Sequence, residues 1–381
     1  MSELGTTRRA RVWLLWACLL GSAAALAQTQ SEPPAAGDST RAAVYGESDT
    51  RISVLYLTNR RRYEDRPAST RYSGERGEAH FGRCEVEFTP IPIINDVVPQ
   101  MSFYVQRETQ ELVLAQRLET AAFWDRLEAS IDRSAGGPVV LFVHGYNYGF
   151  ERTCRRAAVL QRSLRDQATL VVFSWPSNAV PTDYVPDQAD VEWSAPLLAD
   201  AIAELGARIG VERLQLVAHS LGTRGVVLAL QQLGARATER PVVDRLILLA
   251  PDFDSQTFVE LLPQLEPLAG SITLYASSND TPLKLSRQLS GYPRLGEAGP
   301  YLTVVPGIET IDVSPLGRYQ FTGHEYFYFH PVVTADLITL LSTGASAERR
   351  PSLRARTRDG MRYWEFVDLA EAGPDSETPS N

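Results

Sequence analysis

From residue 138 onward, apolar runs of strand length alternate with stretches of helical spacing. Pro138-Val-Val-Leu-Phe-Val143 and Leu170-Val-Val-Phe-Ser174 are continuous or nearly so, and mainly apolar runs follow at 213–217, 243–250 and 271–276. Such runs suit parallel strands covered on both faces rather than half-exposed ones. Helical patterns lie between them at 150–164, 191–209, 225–233 and 256–262, with others around 283–289 and at 332–341. Thr303-Val-Val and 309–313 are the material for a last strand. This alternation predicts an α/β chain with a doubly wound, mostly parallel sheet.

Ahead of that region the pattern is β-rich. Residues 52–58 read as a strand, and Cys84-Glu-Val-Glu-Phe88 alternates as a half-buried strand does. Residues 102–106 and 111–116 suit a hairpin, and Pro90, Pro92 and Pro99 interrupt the chain before it. The charged stretch 59–77 reads as a loop. At 120–133 the residues Ala121, Phe123, Trp124, Leu127 and Ile131 share one helical face.

The ends differ from the middle. Arg8, Arg9 and Arg11 precede an apolar run at 12–26 that is short for a membrane span, and Ala25-Leu26-Ala27 resembles a cleavage site. We expect an export signal over 1–27 and a periplasmic or secreted bacterial protein, with membrane association only if the segment stays uncleaved. Residues 28–47, rich in Ser, Pro, Gly, Ala and Thr, read as a disordered linker. The folded domain spans 48–344, and 345–381 reads as a polar tail, ordered in part at most. Of the three cysteines, Cys18 belongs to the leader. Cys84 and Cys154 remain, either as a disulfide in an oxidising compartment or as two buried thiols.

The 381 residues are 44% hydrophobic and 22% charged, an ordinary globular balance with ample material for a large core. The formal net charge of −9 argues against a nucleic-acid partner. Neither H-E-x-x-H nor paired-cysteine spacing occurs, so no metal site is expected. A Walker A pattern and a G-x-G-x-x-G after a strand are both missing, and no cofactor is called for.

The sequence Leu214-Gln-Leu-Val-Ala-His-Ser-Leu-Gly222 carries the chemistry. An apolar strand runs into Ala-His-Ser-Leu-Gly, and a helical pattern follows at once. That is the context of a nucleophile elbow, with Ala218 where the first glycine of G-x-S-x-G usually sits. The turn demands small residues two before and two after the serine, and it aims a helix N-terminus at the reaction site. A serine nucleophile needs a base, an acid to orient it, and donors for the oxyanion. Of the five histidines, His324 and His330 alone follow the last candidate strand. His324, after Gly323, is the preferred base, and His330, before Pro331, suits a capping role. Asp280, after the strand at 271–276, is the preferred acid, although an Asp before Thr-Pro is also a frequent helix N-cap. Asp252 and Asp254, after the preceding strand, are the alternatives, Asp252 the better of the two, since Asp254 also precedes a helix as a cap would. The oxyanion donors are the Leu221 N–H and the Tyr146 N–H, in His144-Gly-Tyr-Asn147.

Together these motifs resemble the alpha/beta-hydrolase superfamily, esterase/lipase type, and within it a bacterial family of uncharacterised function. The resemblance rests on His144-Gly-Tyr-Asn147, Phe173-Ser-Trp-Pro-Ser177, Ala218-His-Ser-Leu-Gly222, Pro251-Asp252, Ser277-Ser-Asn-Asp280 and Gly323-His-Glu-Tyr326, in that order over residues 50–345. It implies the alpha/beta-hydrolase fold and the triad Ser220, Asp280 and His324, but no substrate. The expected activity is carboxylic-ester hydrolysis on a small acyl substrate. Acyl transfer on the same machinery and a non-catalytic envelope-binding role are the alternatives. Residues 176–193 and 291–301 are the expected pocket rims, with Tyr184 and Trp193 as substrate-contacting residues and Tyr292 and Tyr301 beside them.

Overall fold

Alternate residues of each apolar run face opposite sides of a sheet, so a run without polar positions needs helices on both faces. In the computed structural model, which describes residues 50–91, 108–236, 241–318 and 322–367, that requirement is met by one sheet. Among the described residues it has eleven strands in the order β10-β11-β9-β8-β7-β6-β4-β5-β1-β2-β3. The central strands are β4 (Val139–Val143), β5 (Thr169–Ser174), β6 (Leu214–His219), β7 (Val243–Leu249), β8 (Ala269–Ala276) and β9 (Glu309–Asp312), all parallel to their neighbours.

Eight α-helices flank them among the described residues: α1 (Thr120–Arg133), α2 (Phe150–Leu164), α3 (Tyr184–Ile209), α4 (Gly222–Arg236), α5 (Ser255–Leu265), α6 (Thr281–Ser290), α7 (Tyr326–Phe329) and α8 (Pro331–Thr343). Two cores result. Val139, Leu141 and Val143 pack with α1, α3, α4 and α5 on one face. Val140 and Phe142 pack with α2, α7 and α8 on the other.

The N-terminal extension is antiparallel: β1 (Arg51–Arg62), β2 (Tyr72–Pro90) and β3 (Glu108–Leu118), with β1 also pairing parallel to β5. Residues 59–77, expected as a loop, are in part ladder, since Arg60 pairs with Arg76 and Arg62 with Tyr72 across two register shifts. The bulged ladder accommodates the charges, and one of them, Arg60, is fully buried. Residues 108–118 pair with β2, and the expected partner segment 102–106 lies outside the described residues. The expected leader and linker, 1–47, also lie outside them. Cys84 on β2 and Cys154 on α2 form a disulfide, with Cα atoms 6.3 Å apart.

At the other edge, β10 (Leu353–Arg358) and β11 (Met361–Phe366) form a hairpin that pairs with β9. The segment expected as a tail from 345 therefore belongs to the sheet as far as Phe366. Trp364 and Phe366 are buried there. Arg350 reaches Asp336 at 2.6 Å and the Tyr275 hydroxyl at 2.7 Å. Among the described residues no helix is long and apolar enough to cross a membrane.

Candidate active site

β6 ends at His219 and α4 begins at Gly222, so the chain must reverse within two residues. Ser220 pays for this with φ of 52°, a left-handed conformation that a non-glycine residue adopts only when its surroundings enforce it. Three backbone bonds do so. The Ser220 N–H donates to Leu249 O at 3.0 Å, and Ser220 O accepts from Asp252 N–H at 3.0 Å and Thr223 N–H at 3.1 Å. The small residues follow from contact: a Cβ on Gly222 would lie 2.4 Å from His144 O, and one on Gly145 would lie 2.8 Å from Ser220 Cβ. Strand β4's outgoing loop thus touches the serine.

His324 arrives on the loop after β9. Gly323 has φ of 66°, and a Cβ there would sit 2.4 Å from Asn279 O. His324 Nδ1 lies 2.6 Å from Asp280 Oδ2. The other oxygen, Oδ1, accepts the Leu283 N–H at 2.9 Å and caps α6. The histidine contact and the helix cap, posed as alternatives in the sequence, are both made by one carboxylate. Burial pushes the Asp280 carboxyl up, while His324 and the Leu283 N–H pull it back. Beside it, the Glu325 carboxylate accepts from the Tyr148 hydroxyl and pairs with Arg152 at 2.9 Å and Arg156 at 3.2 Å, tying this loop to α2.

The alternatives are occupied elsewhere. Asp252 Oδ1 accepts from Ser286 Oγ at 2.6 Å and Arg294 Nε at 2.7 Å, and Oδ2 accepts from the Tyr184 hydroxyl at 2.7 Å. Its carboxylate has no histidine partner among the described residues, and it is the Asp252 backbone N–H that braces the elbow. Asp254 caps α5 through the Thr257 N–H at 2.8 Å. His330 stands at the N-terminus of α8. The His219 ring packs 4.8 Å from the His324 ring and against Tyr148 and Phe327. Burial lowers the proton affinity of His219 far below the ordinary value, so the ring is neutral.

The loop 144–148 is pinned at nearly every polar backbone atom. His144 O accepts from Trp175 Nε1 at 2.8 Å, and Gly145 O meets His144 Nδ1 at 2.8 Å. The Asn147 N–H donates to Asp187 at 3.2 Å and the Tyr148 N–H to Ser177 Oγ at 3.1 Å. The Tyr146 and Leu221 N–H groups have no hydrogen-bond partner among the described residues. Leu221 follows Ser220 directly in the chain, and Tyr146 follows Gly145, whose Cβ position would lie 2.8 Å from Ser220 Cβ.

Tyr184 and Trp193 do not share a surface. They lie nine residues apart on α3, about 180° around a helix of 3.6 residues per turn. Tyr184 packs edge-on against Tyr146, 5.3 Å between centroids, and its hydroxyl holds Asp252. Trp193 is half exposed beneath the Arg76 guanidinium. Tyr292 is exposed, and Tyr301 carries the Arg287 guanidinium 4.6 Å above its ring. The residue that sequence reasoning missed is Arg60, whose guanidinium reaches the 144–148 loop from β1. It sits in Arg60-Arg61-Arg62, where nothing in the sequence distinguishes the fully buried arginine from the exposed Arg61 and the half-buried Arg62. Among the described residues no group of three or more His, Cys, Asp or Glu side chains is arranged to hold a metal ion.

Several solved structures are similar to this chain. One is the RedJ thioesterase of the prodiginine biosynthetic pathway of Streptomyces coelicolor, with 14% identity, 56% of this chain and 87% of that chain covered, and a TM-score of 0.31. Another is EstE1, a thermophilic and thermostable carboxylesterase from a metagenomic library, at 14% identity, 69% and 83% coverage, and the same TM-score of 0.31. The carboxylesterase CesB (YbfK) from Bacillus subtilis matches at 12% identity, 59% and 99% coverage, and 0.31. No curated protein matches. Residues 119–341, more than half of the chain, match the family described as "Alpha/beta hydrolase of unknown function (DUF900)", and the chain belongs to that family.

Proposed function

We propose that this alpha/beta-hydrolase family member is a serine hydrolase that cleaves carboxylic esters through an acyl-enzyme. The observation that carries the reading is the 2.6 Å contact between His324 Nδ1 and the buried Asp280 carboxylate, with the His324 ring 4.8 Å from that of His219, the residue before the strained Ser220. A carboxylate bound at Nδ1 fixes the proton there and leaves Nε2 as the basic nitrogen. Ser220 Oγ then attacks the acyl carbon as His324 Nε2 takes its proton. The carbonyl electrons move onto oxygen, where the Tyr146 and Leu221 N–H groups receive them, each such donor being worth about 3 kcal/mol. Collapse of the intermediate expels the alcohol, which takes the proton from His324. Water, deprotonated by the same nitrogen, attacks the acyl-enzyme and releases the acid with Ser220 restored.

Export to the periplasm or medium is part of the proposal. It is supported by the leader-like pattern at 1–27 and by the Cys84–Cys154 disulfide, a bond that persists in oxidising compartments. The test is a fluorophosphonate probe with adduct mapping by mass spectrometry, alongside hydrolysis of p-nitrophenyl esters from acetate to octanoate. The wild-type protein labels at Ser220 and turns over esters, and folded Ser220→Ala does neither. A folded wild type that resists the probe, or turnover retained in Ser220→Ala, overturns the reading.

A further inference from the structure

Arg60 lies two residues before the end of strand β1, outside the family-matched segment 119–341, and it is wholly buried. Its donors fan out over five acceptors. Nε bonds Ser174 Oγ at 2.9 Å. Nη1 bonds Ser177 O at 2.8 Å and Ser73 O at 3.2 Å. Nη2 bonds Tyr148 O at 2.6 Å and meets His144 Nε2 at 3.4 Å. No carboxylate oxygen lies within ion-pair distance of it among the described residues, although Asp187 and Asp190 favour its charge from farther off. Burying a guanidinium against carbonyls, without a contacting anion, costs stability, so a site that keeps one calls for another reason.

The reason follows from proton bookkeeping. A guanidinium only donates, so His144 Nε2 must be the acceptor and the ring proton must sit on Nδ1. That N–H then donates to Gly145 O at 2.8 Å. In a trans peptide the C=O and N–H point in opposite directions. Holding Gly145 O on the His144 side therefore turns the Tyr146 N–H to the other side, where Gly145 abuts Ser220. Burial first and the Arg60 charge second lower the proton affinity of His144, against the Gly145 and Trp175 backbone groups that raise it, and the net effect keeps the ring neutral. The ring has no freedom to turn, being stacked between Tyr148 (centroids 5.6 Å apart) and Trp175 (4.8 Å). At the far end of the loop the same guanidinium holds Tyr148 O, and Asp187 and Ser177 take the two N–H groups between.

We propose that Arg60 is a positioning residue for the oxyanion hole: from the N-terminal extension it sets the tautomer of His144 and so aims the Tyr146 N–H at Ser220. This rests on the serine-hydrolase reading above, and it makes the β-extension a working part of the site rather than an appendage.

The test uses the mature full chain with Arg60→Gln, His144→Phe and the double variant. Folding is read by near-ultraviolet circular dichroism, kcat and KM with p-nitrophenyl butyrate, and reactivity by the fluorophosphonate labelling constant of Ser220. Misaiming a transition-state donor lowers kcat and leaves ground-state binding alone. Folded Arg60→Gln is expected to show KM within about twofold of wild type, and kcat and the labelling constant both down by about tenfold or more. His144→Phe preserves the stack and loses both ring nitrogens, so it is expected to show the same loss and decides the matter if Arg60→Gln does not fold. The double variant is expected to be no worse than His144→Phe, because the two act in series. Wild-type kcat in either folded single variant, or a loss confined to KM, overturns the proposal. A wild type that neither labels nor hydrolyses overturns the serine-hydrolase reading instead.

Discussion

Asp280 divides its two oxygens between a helix cap and a histidine, and the division has measurable consequences. Replacement by Asn keeps an acceptor for Leu283 but no longer holds the His324 proton on Nδ1, and kcat is expected to fall by about 10⁴-fold. Stability moves the other way. The folded carboxyl is raised above its unfolded value near 3.9, so the native state holds the acid proton more tightly than the unfolded chain does. The associated stability is present below the unfolded value and is lost as pH climbs to the folded one. Asp280→Asn should therefore gain on wild type across that acid window and hold a constant margin above it, which urea midpoints at a series of pH values will measure. Asp252→Asn should do the reverse: kcat within tenfold of wild type, but about 3 kcal/mol less stable, because Arg294 is left buried without its anion. A dead Asp252→Asn beside an active Asp280→Asn would exchange their roles. Ser220 and its small neighbours are legible in the sequence because the elbow's demands are local. Arg60 is not, because its burial depends on strands and loops more than 80 residues away, at His144 and Ser174.

At the scale of elements, the parallel strands are legible because burial on both faces leaves few polar positions in the run, and none in β4. The C-terminal hairpin is hidden for the opposite reason. β10 is an exposed edge, and its arginines give it the look of a solvated tail, a common guard against edge-to-edge association. Truncation after residue 346 tests its worth. It removes Trp364, Phe366 and Arg350, leaving the Asp336 carboxylate buried without its cation and the β9 edge bare. The shortened chain is expected to lose about 3 kcal/mol or more and to associate, as read from denaturation curves and size-exclusion chromatography. Unchanged stability in a monomeric truncation would return the hairpin to the status of an appendage.

Across the whole molecule, the disulfide joins the extension to α2, the helix whose Arg152 and Arg156 hold Glu325 beside His324. With the cysteines 70 positions apart in the chain, loop-closure entropy puts the bond at about 4 kcal/mol. Cys84→Ala/Cys154→Ala should lower the denaturation midpoint accordingly and make it insensitive to reductant, while kcat in the folded fraction stays near wild type. A midpoint unmoved by both substitutions would mean the extension is held by its ladder alone.

The sequence by itself determined whatever depends on near neighbours. The strand-and-helix alternation, the elbow with Ala218 and Gly222, and the glycines beside His144 and His324 all answer to local periodicity or to the space around one turn. Tertiary structure decided which groups meet. His324 found Asp280 rather than Asp252, α3 turned Tyr184 inward and Trp193 away, and β1 carried Arg60 against the 144–148 loop. Those outcomes depend on strand order and helix rotation, which are set by the packing of the entire sheet.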